Sequence, residues 1–205
     1  MMIRGAKSVL ISFGLGLCAA TLAGCQGTKP QPLAQAASAP APQLAPSNYE
    51  LAAPGTIFVW RDLINDKLIE EHVGQPKGRM MDSQFGNRRS FAYVPDPWAD
   101  NENTRVADIE PLFPLEVGKQ VTFKRHPQAG EATDTVKVLR TETLQLPIGP
   151  VDTYVIETRS EIPSDSWVGQ ATFWYAPSLK WQVQMQITDN MGDNRRRFVT
   201  EVRAP

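Results

Sequence analysis

A period of two dominates the second half of the chain. In "KWQVQMQIT" Trp181, Val183, Met185 and Ile187 fall on one side, and Gln182, Gln184, Gln186 and Thr188 on the other. Successive side chains of a strand point to opposite faces, so this stretch predicts an antiparallel strand with one buried and one wetted face. "GTIFVWRD" (55–62), "KQVTFKR" (119–125), "VDTYVIETR" (151–159), "QATFWYA" (170–176) and "RRFVTEV" (196–202) carry the β-branched and aromatic residues that suit a pleated surface. Asn65-Asp66, Gly86-Asn87, Gln128-Ala129-Gly130, Pro177-Ser178 and Gly192-Asp193-Asn194 punctuate them with turn chemistry. The best helix candidate, Trp98 to Ile109, lies within a stretch (94–114) that reads as a loop with one helical turn, dividing an earlier group of strands from a later one. The expectation is an all-β domain: a single curved antiparallel sheet or half-barrel of roughly 8–10 strands, with little helix.

The first residues follow another pattern. Arg4 and Lys7 precede an apolar or small run from Ser8 to Gly24 that contains no acid, the parts of a secretory signal. The run is shorter than the roughly 20 apolar residues that a membrane-spanning helix needs, and Ser12, Gly14, Gly16 and Thr21 dilute it. It ends in Leu22-Ala23-Gly24-Cys25, which resembles the lipobox of bacterial lipoproteins. That resemblance implies a thioether from the Cys25 sulfur to diacylglycerol, cleavage between Gly24 and Cys25, and acylation of the new amino group. An ordinary signal cut near Ala20 or Ala23 would instead leave Cys25 a free thiol. The lipobox reading is adopted because position, apolar run and all four residues agree. Two or more acyl chains make a lasting tether, where one holds only reversibly. Gln26 is not the Asp that marks inner-membrane retention in Gram-negative lipoproteins, so the resemblance implies the outer membrane, periplasmic face.

Three segments follow: a signal (1–24), a lipidated cysteine with its linker (25–48), and a β domain (49–205). The linker, "GTKPQPLAQAASAPAPQLAPS" (27–47), is rich in Pro, Ala and Gln, carries a single charge and has no aromatic residue. Such composition favours extended chain rather than a core, and at about 3.1 Å per residue it spans up to about 65 Å. The domain is long enough to bury a core of its own. Cys18 leaves with the signal, so no internal disulfide is available to the mature chain. Losing a signal with two bases and no acid takes the formal net charge from −1 to −3. That is no polycation, and nucleic acid is not expected as a partner.

"FPLEVGKQVTF" (113–123), "LPIGPVDTYVIET" (146–158) and "FWYAPSLKWQVQ" (173–184) resemble a pattern shared by uncharacterised bacterial envelope families: a Phe-Pro-Leu-x-x-Gly-Lys opening, a Pro-x-Gly turn feeding a strand, and a Trp-Tyr-x-Pro hairpin. The resemblance covers about residues 111 to 187. It implies one strongly curved sheet or half-barrel, similar to lipoprotein-carrier or lipocalin-like shapes, and an envelope location. It brings no activity. Lys180 stands where a Gly is common in the hairpin, and Ile148 where a small residue is common before Gly149.

The chemistry that would mark an enzyme is missing from the sequence. His72 and His126 sit in no metal-ligand spacing, and no cysteine pair exists for zinc. No nucleophile elbow, Ser-x-x-Lys or phosphate-cradling glycine loop occurs, and no cofactor is expected. Glu70 and Glu71, adjacent on a strand, would point to opposite faces and cannot act as a carboxylate pair. Asp96, Asp100 and Glu102, and again Asp189, Asn190 and Asp193, crowd in loops without the spacing of a calcium hand. In "RRR" (195–197) a strand would turn Arg196 away from Arg195 and Arg197.

Trp60, Phe173, Trp174, Tyr175 and Trp181 could stack on sugars or line an apolar cavity, but aromatic hairpins commonly pack across strands. Core is the preferred assignment. Trp174, Trp60 and Tyr175 form the candidate ligand face, with Trp174 the foremost exception to burial. The leading functional expectation is a non-catalytic lipoprotein, bound to the membrane through its lipid, whose β domain binds an envelope protein or ligand. A carrier sheltering a lipid or hydrophobic small molecule in the concave face ranks second, and an envelope hydrolase third. The anchor is directly testable: Cys25→Ser should abolish metabolic labelling with palmitate, and persistent labelling would refute the lipobox assignment.

Overall fold

The structure is a computed structural model that describes residues 41–48, 50–77, 80–85, 88–92, 106–127 and 130–205, and only the backbone course between 76 and 107. The signal, Cys25 and the linker as far as Pro40 lie outside the described residues, as do Asp96, Asp100, Glu102, Trp98 and the Gly86-Asn87 turn.

Ten strands form a single antiparallel sheet: β1 (Ile57–Asp62), β2 (Leu68–Lys77), β3 (Met80–Phe85), β4 (Arg88–Ala92), β5 (Gln120–Arg125), β6 (Ala132–Leu146), β7 (Gly149–Ile162), β8 (Trp167–Ala176), β9 (Trp181–Asp189) and β10 (Asn194–Arg203). Their spatial order is β4-β3-β2-β1-β10-β9-β8-β7-β6-β5, so two meanders meet where β1 pairs with β10. The edge strands β4 and β5 do not pair with each other, and the sheet stays open. It curls nonetheless, because β10 approaches β6 although three strands lie between them. A short helix, α1 (Val106–Ile109), and a 3-10 turn (Glu110–Leu112) precede β5. Neither is long and apolar enough to cross a membrane. The all-β expectation holds.

The hairpin of β6 and β7 buries opposite faces of the sheet at its two ends. Near the β6–β7 turn, Val151, Thr153 and Val155 of β7 are buried, all of odd number; farther on come Ile156, Thr158, Ser160 and Ile162, all even, and Tyr154 is buried with them. Adjacent strand residues face opposite ways, so both faces are buried from Thr153 to Ile156 and the buried side changes across that stretch. β6 shows no such change of parity: Ala132, Asp134, Val136, Val138, Leu144 and Leu146 are buried, every one even. The difference is one extra residue. Val138 pairs with Ile156 and Arg140 with Val155, which leaves Leu139 as a β-bulge.

Two apolar clusters result. Leu144, Leu146, Val151 and Val155 join Phe58, Trp60, Phe173, Trp181, Met185 and Phe198 in the larger. Val136, Val138, Tyr154 and Ile156 join Phe123 and Tyr175 in the smaller, which Ile109, Leu112 and Leu115 cover from α1 and the residues after it. The motif "FPLEVGK" therefore leads from the cap into β5, with a cis peptide between Phe113 and Pro114. Gly149, in the β6–β7 turn, has φ 103°, a left-handed conformation that favours glycine. Lys180 adopts φ 53° in the hairpin position where Gly is common in the resembling families.

One expectation needs correcting. Gln184 does not belong to a wetted face; it is 1 % exposed, in register between Trp174 and Phe198. The curl of the sheet brings β10 toward β6, and Gln184 is buried together with its register partners Trp174 and Phe198.

Deleting Leu139 should move every β6 side chain beyond it to the wrong face. Leu144 and Leu146 would leave the larger cluster, each at about 2–5 kcal/mol, against a typical total of about 5–15 kcal/mol. The expected outcome is loss of the cooperative thermal transition in circular dichroism, while Leu139→Ala retains it. A deletion variant that melts within a few degrees of the parent would show that the bulge does not set the burial pattern.

Candidate functional site

The three aromatic residues expected to face a ligand are all buried, and they do not converge. Trp60 donates its indole N–H to Glu71 Oε2 at 2.9 Å, and Trp181 donates to the same oxygen at 3.0 Å. Phe58 stacks on Trp181 with ring centroids 5.4 Å apart and 7° between planes. Trp174 is 7 % exposed, so the exception to burial expected for it is not found; its indole donates to Glu142, which also pairs with Arg140 at 2.9 Å. Tyr175 lies in the smaller cluster, in register with Tyr154. Trp167 donates to Asp189 at 3.1 Å. Each tryptophan whose side chain is described thus has its N–H on a carboxylate, because an indole taken out of water needs an acceptor.

The acids divide by face as alternation requires. Glu71 is buried, whereas Glu70 is exposed between Arg203 at 2.6 Å and His72 at 3.2 Å. Asp134 is fully buried: Arg125 donates to its Oδ2 at 2.5 Å and reaches Ser160 Oγ at 2.9 Å, while Oδ1 has no partner. Asp62 is buried against Arg197 at 2.9 Å. Burial pushes its carboxyl up, but the backbone N–H of Ile64, the Arg197 guanidinium and the Asn65 N–H outweigh that and hold it below the ordinary value. Arg195 turns to Asp193 and Arg197 to Asp62, with Arg196 exposed between them, so the triple arginine is split. Asp189 closes its own turn by accepting from the backbone N–H of Met191 and Asp193. Among the described residues no three His, Cys, Asp or Glu side chains gather into a metal site.

Sequence reasoning missed a groove at the N-terminal side of the domain. Pro42 to Ser47, part of the stretch expected as linker, lie against the sheet as a strap. Ser47 and Leu115 exchange backbone hydrogen bonds of 3.2 and 2.7 Å. The Tyr154 hydroxyl donates to the Ala45 carbonyl at 2.9 Å, and the Thr141 hydroxyl to that of Pro42 at 2.6 Å. Leu44 packs on the smaller cluster, and Glu50 pairs with Lys180 at 2.6 Å. Beside the strap opens a groove of about 570 Å³ lined by residues 42–45 with Glu116, Val117, Thr141 and Tyr154. Burial raises the Tyr154 phenol above its ordinary value and the Glu116 carboxylate adds to the shift, so it stays a donor at neutral pH. The only sequence signal for this site was Tyr154 itself, an aromatic on the even face of a strand whose odd face is also apolar.

An open antiparallel sheet of two meanders, capped on one face and curled over the other, is the class of fold these contacts define. No protein-family model matches the chain, and no curated protein matches it. Solved structures do. The hypothetical lipoprotein YmcC from Escherichia coli (K12) is similar over 77 % of this chain and 91 % of its own, at 12 % identity and a TM-score of 0.50; the two share the fold. A candidate exported protein with a YmcC-like fold from Bacteroides fragilis NCTC 9343 is similar at 13 % identity over 77 % of this chain and 100 % of its own, with a TM-score of 0.43. A candidate lipoprotein from Parabacteroides distasonis ATCC 8503 covers 78 % of this chain and 100 % of its own at 13 % identity, with a TM-score of 0.41.

Tyr154→Phe removes a hydroxyl that holds the strap and leaves the ring in the core. A hydrogen bond of this kind contributes about 0.5–1.5 kcal/mol, so strap amides should exchange with solvent roughly two- to tenfold faster, with little change in melting temperature. Unchanged exchange at 42–47 would mean that the hydroxyl does not hold the strap.

Proposed function

We propose that this is a non-catalytic lipoprotein, tethered through Cys25 at the periplasmic face of the outer membrane, whose β domain binds an envelope partner. The observation that carries the binding role is the open groove beside the strap, where exposed Val117, Glu116 and the half-buried Thr141 lie next to the segment by which the tether joins the domain. The lipobox at residues 22–25 supports the anchor, and the fold shared with an E. coli hypothetical lipoprotein agrees with an envelope setting. The absence of catalysis is supported by the occupation of the buried acids: Glu71 by two indoles, Asp134 by Arg125, and Asp62 by Arg197.

The partner reading is preferred to the carrier because the aromatics that would line an acyl cavity fill it instead. Trp60, Phe58 and Trp181 pack on one another, and the groove beside the strap is open to solvent. Native mass spectrometry of the full lipoprotein, extracted gently from its membrane, decides between the readings. The expected result is chain plus acyl groups on Cys25 with a stoichiometric protein companion that Val117→Asp releases. A releasable lipid-sized adduct in place of the companion would overturn the partner reading in favour of the carrier.

A further inference from the structure

The strap is held through its backbone and one side chain. Thr141 Oγ1 donates to the Pro42 carbonyl and the Tyr154 hydroxyl to that of Ala45, while Ser47 and Leu115 exchange backbone hydrogen bonds. Of the strap's side chains only Leu44 packs on the smaller cluster. What this side of the sheet recognises is therefore an extended, proline-containing chain with a leucine. Each hydroxyl has one hydrogen, which the strap takes, and keeps lone pairs that can accept an N–H from a second chain alongside. The groove is the space for such a chain. It opens between the strap and residues 116–117, next to the bridge of Ser47 and Leu115, with Thr141 and Tyr154 on the sheet side.

The sequence holds a second segment of the same kind. Pro30-Gln31-Pro32-Leu33-Ala34 repeats Pro42-Gln43-Leu44-Ala45 of the strap with one proline inserted. Residues 35–41 separate the two copies and include Ser38 and Pro40. That is length enough to turn a chain back beside itself, since hairpin connections commonly take about two to five residues. Attachment at the rim of the groove gives the earlier copy an effective concentration of about millimolar before any contact is counted. The charges also match. Lys29 is the single charge between Cys25 and Ser47. Glu116 is the single charged residue lining the groove, exposed and without an ion-pair partner among the described residues.

We propose that residues 29–34 of the same chain occupy the groove, with Leu33 against Val117 and Lys29 toward Glu116, and that an envelope partner enters by displacing them. The inference deepens the partner reading and rests on it, since it names what regulates access to that site. It also couples the site to the anchor. With 29–34 seated, the free chain from Cys25 to Lys29 reaches about 12 Å in extended form; once they are displaced, the chain from Cys25 to Ala41 reaches about 50 Å. Partner binding thus lengthens the tether about fourfold.

Pulsed electron resonance between spin labels at Gln35→Cys and Gln120→Cys, on the full acylated chain in detergent, tests the proposal. Gln120 is exposed at the start of β5, and intact mass reports the acyl groups that occupy Cys25. The expected result is a single narrow distance that survives dilution with unlabelled chains. Leu33→Asp should replace it by a broad distribution. Glu116→Gln and Lys29→Gln should each reduce the narrow fraction by up to about fivefold, the range of an exposed ion pair; circular dichroism checks that the variants fold. A broad distribution in the parent chain would overturn the proposal, as would a narrow one indifferent to Leu33→Asp. Loss of the narrow distance on dilution would overturn it too, by assigning the contact to a second copy. A broad distribution in chains that still carry a protein companion in their native mass spectrum would sink the cis occupancy alone. A narrow one that Leu33→Asp abolishes, in chains without any companion, would sink the partner reading alone.

Discussion

One extra residue in β6 governs how this sheet can be buried. A strand shows one face to each side, and a long hairpin that must cover an apolar cap at one end and an apolar curl at the other has to change its buried face midway. β7 makes the change by placing Val155 and Ile156 side by side, one in each cluster. β6 makes it by bulging at Leu139, whose side chain packs against the larger cluster. The cap of Ile109, Leu112 and Leu115 then lies on one face, and the closing of β10 toward β6 shields the other. The strap follows from the same arrangement, since Tyr154 points to the capped face and meets the Ala45 carbonyl there.

Buried charge fixes the register of what the bulge arranges. Arg125, Asp134 and Ser160 come from β5, β6 and β7, and Asp134 and Ser160 are direct cross-strand partners. Asp62 and Arg197 are direct partners too, at the β1–β10 junction that unites the two meanders. Desolvating such pairs offsets most of their attraction, so they add little to stability over an apolar substitute. Separating one is another matter, because an uncompensated buried charge costs about 3–5 kcal/mol. A one-residue slip at either place would do that, and the pairs therefore select the observed alignment over its neighbours. Glu71 acts similarly between strands β1, β2 and β9, holding two indoles that would otherwise lack an acceptor.

The all-β class and six strands were legible in the sequence because β1, β5 and β7 to β10 carry β-branched and aromatic residues in alternation. β6 was not. Its core phase includes Asp134, and its other phase is Thr and charge, so hydropathy alone sees a polar segment. β2 hides in the same way behind Glu70, Glu71 and His72. Gln184 misled in the opposite sense: glutamines in regular alternation signal water, but the curl that brings β10 toward β6 and accompanies its burial is a property of distant strands. The aromatic residues were rightly assigned to core in the main. What a single sequence could not supply was the carboxylate that each indole finds, since those partners lie up to 110 positions away. The strap was hidden for a related reason: proline-rich chain has no periodicity, and its bonds to Thr141 and Tyr154 use its backbone rather than its side chains.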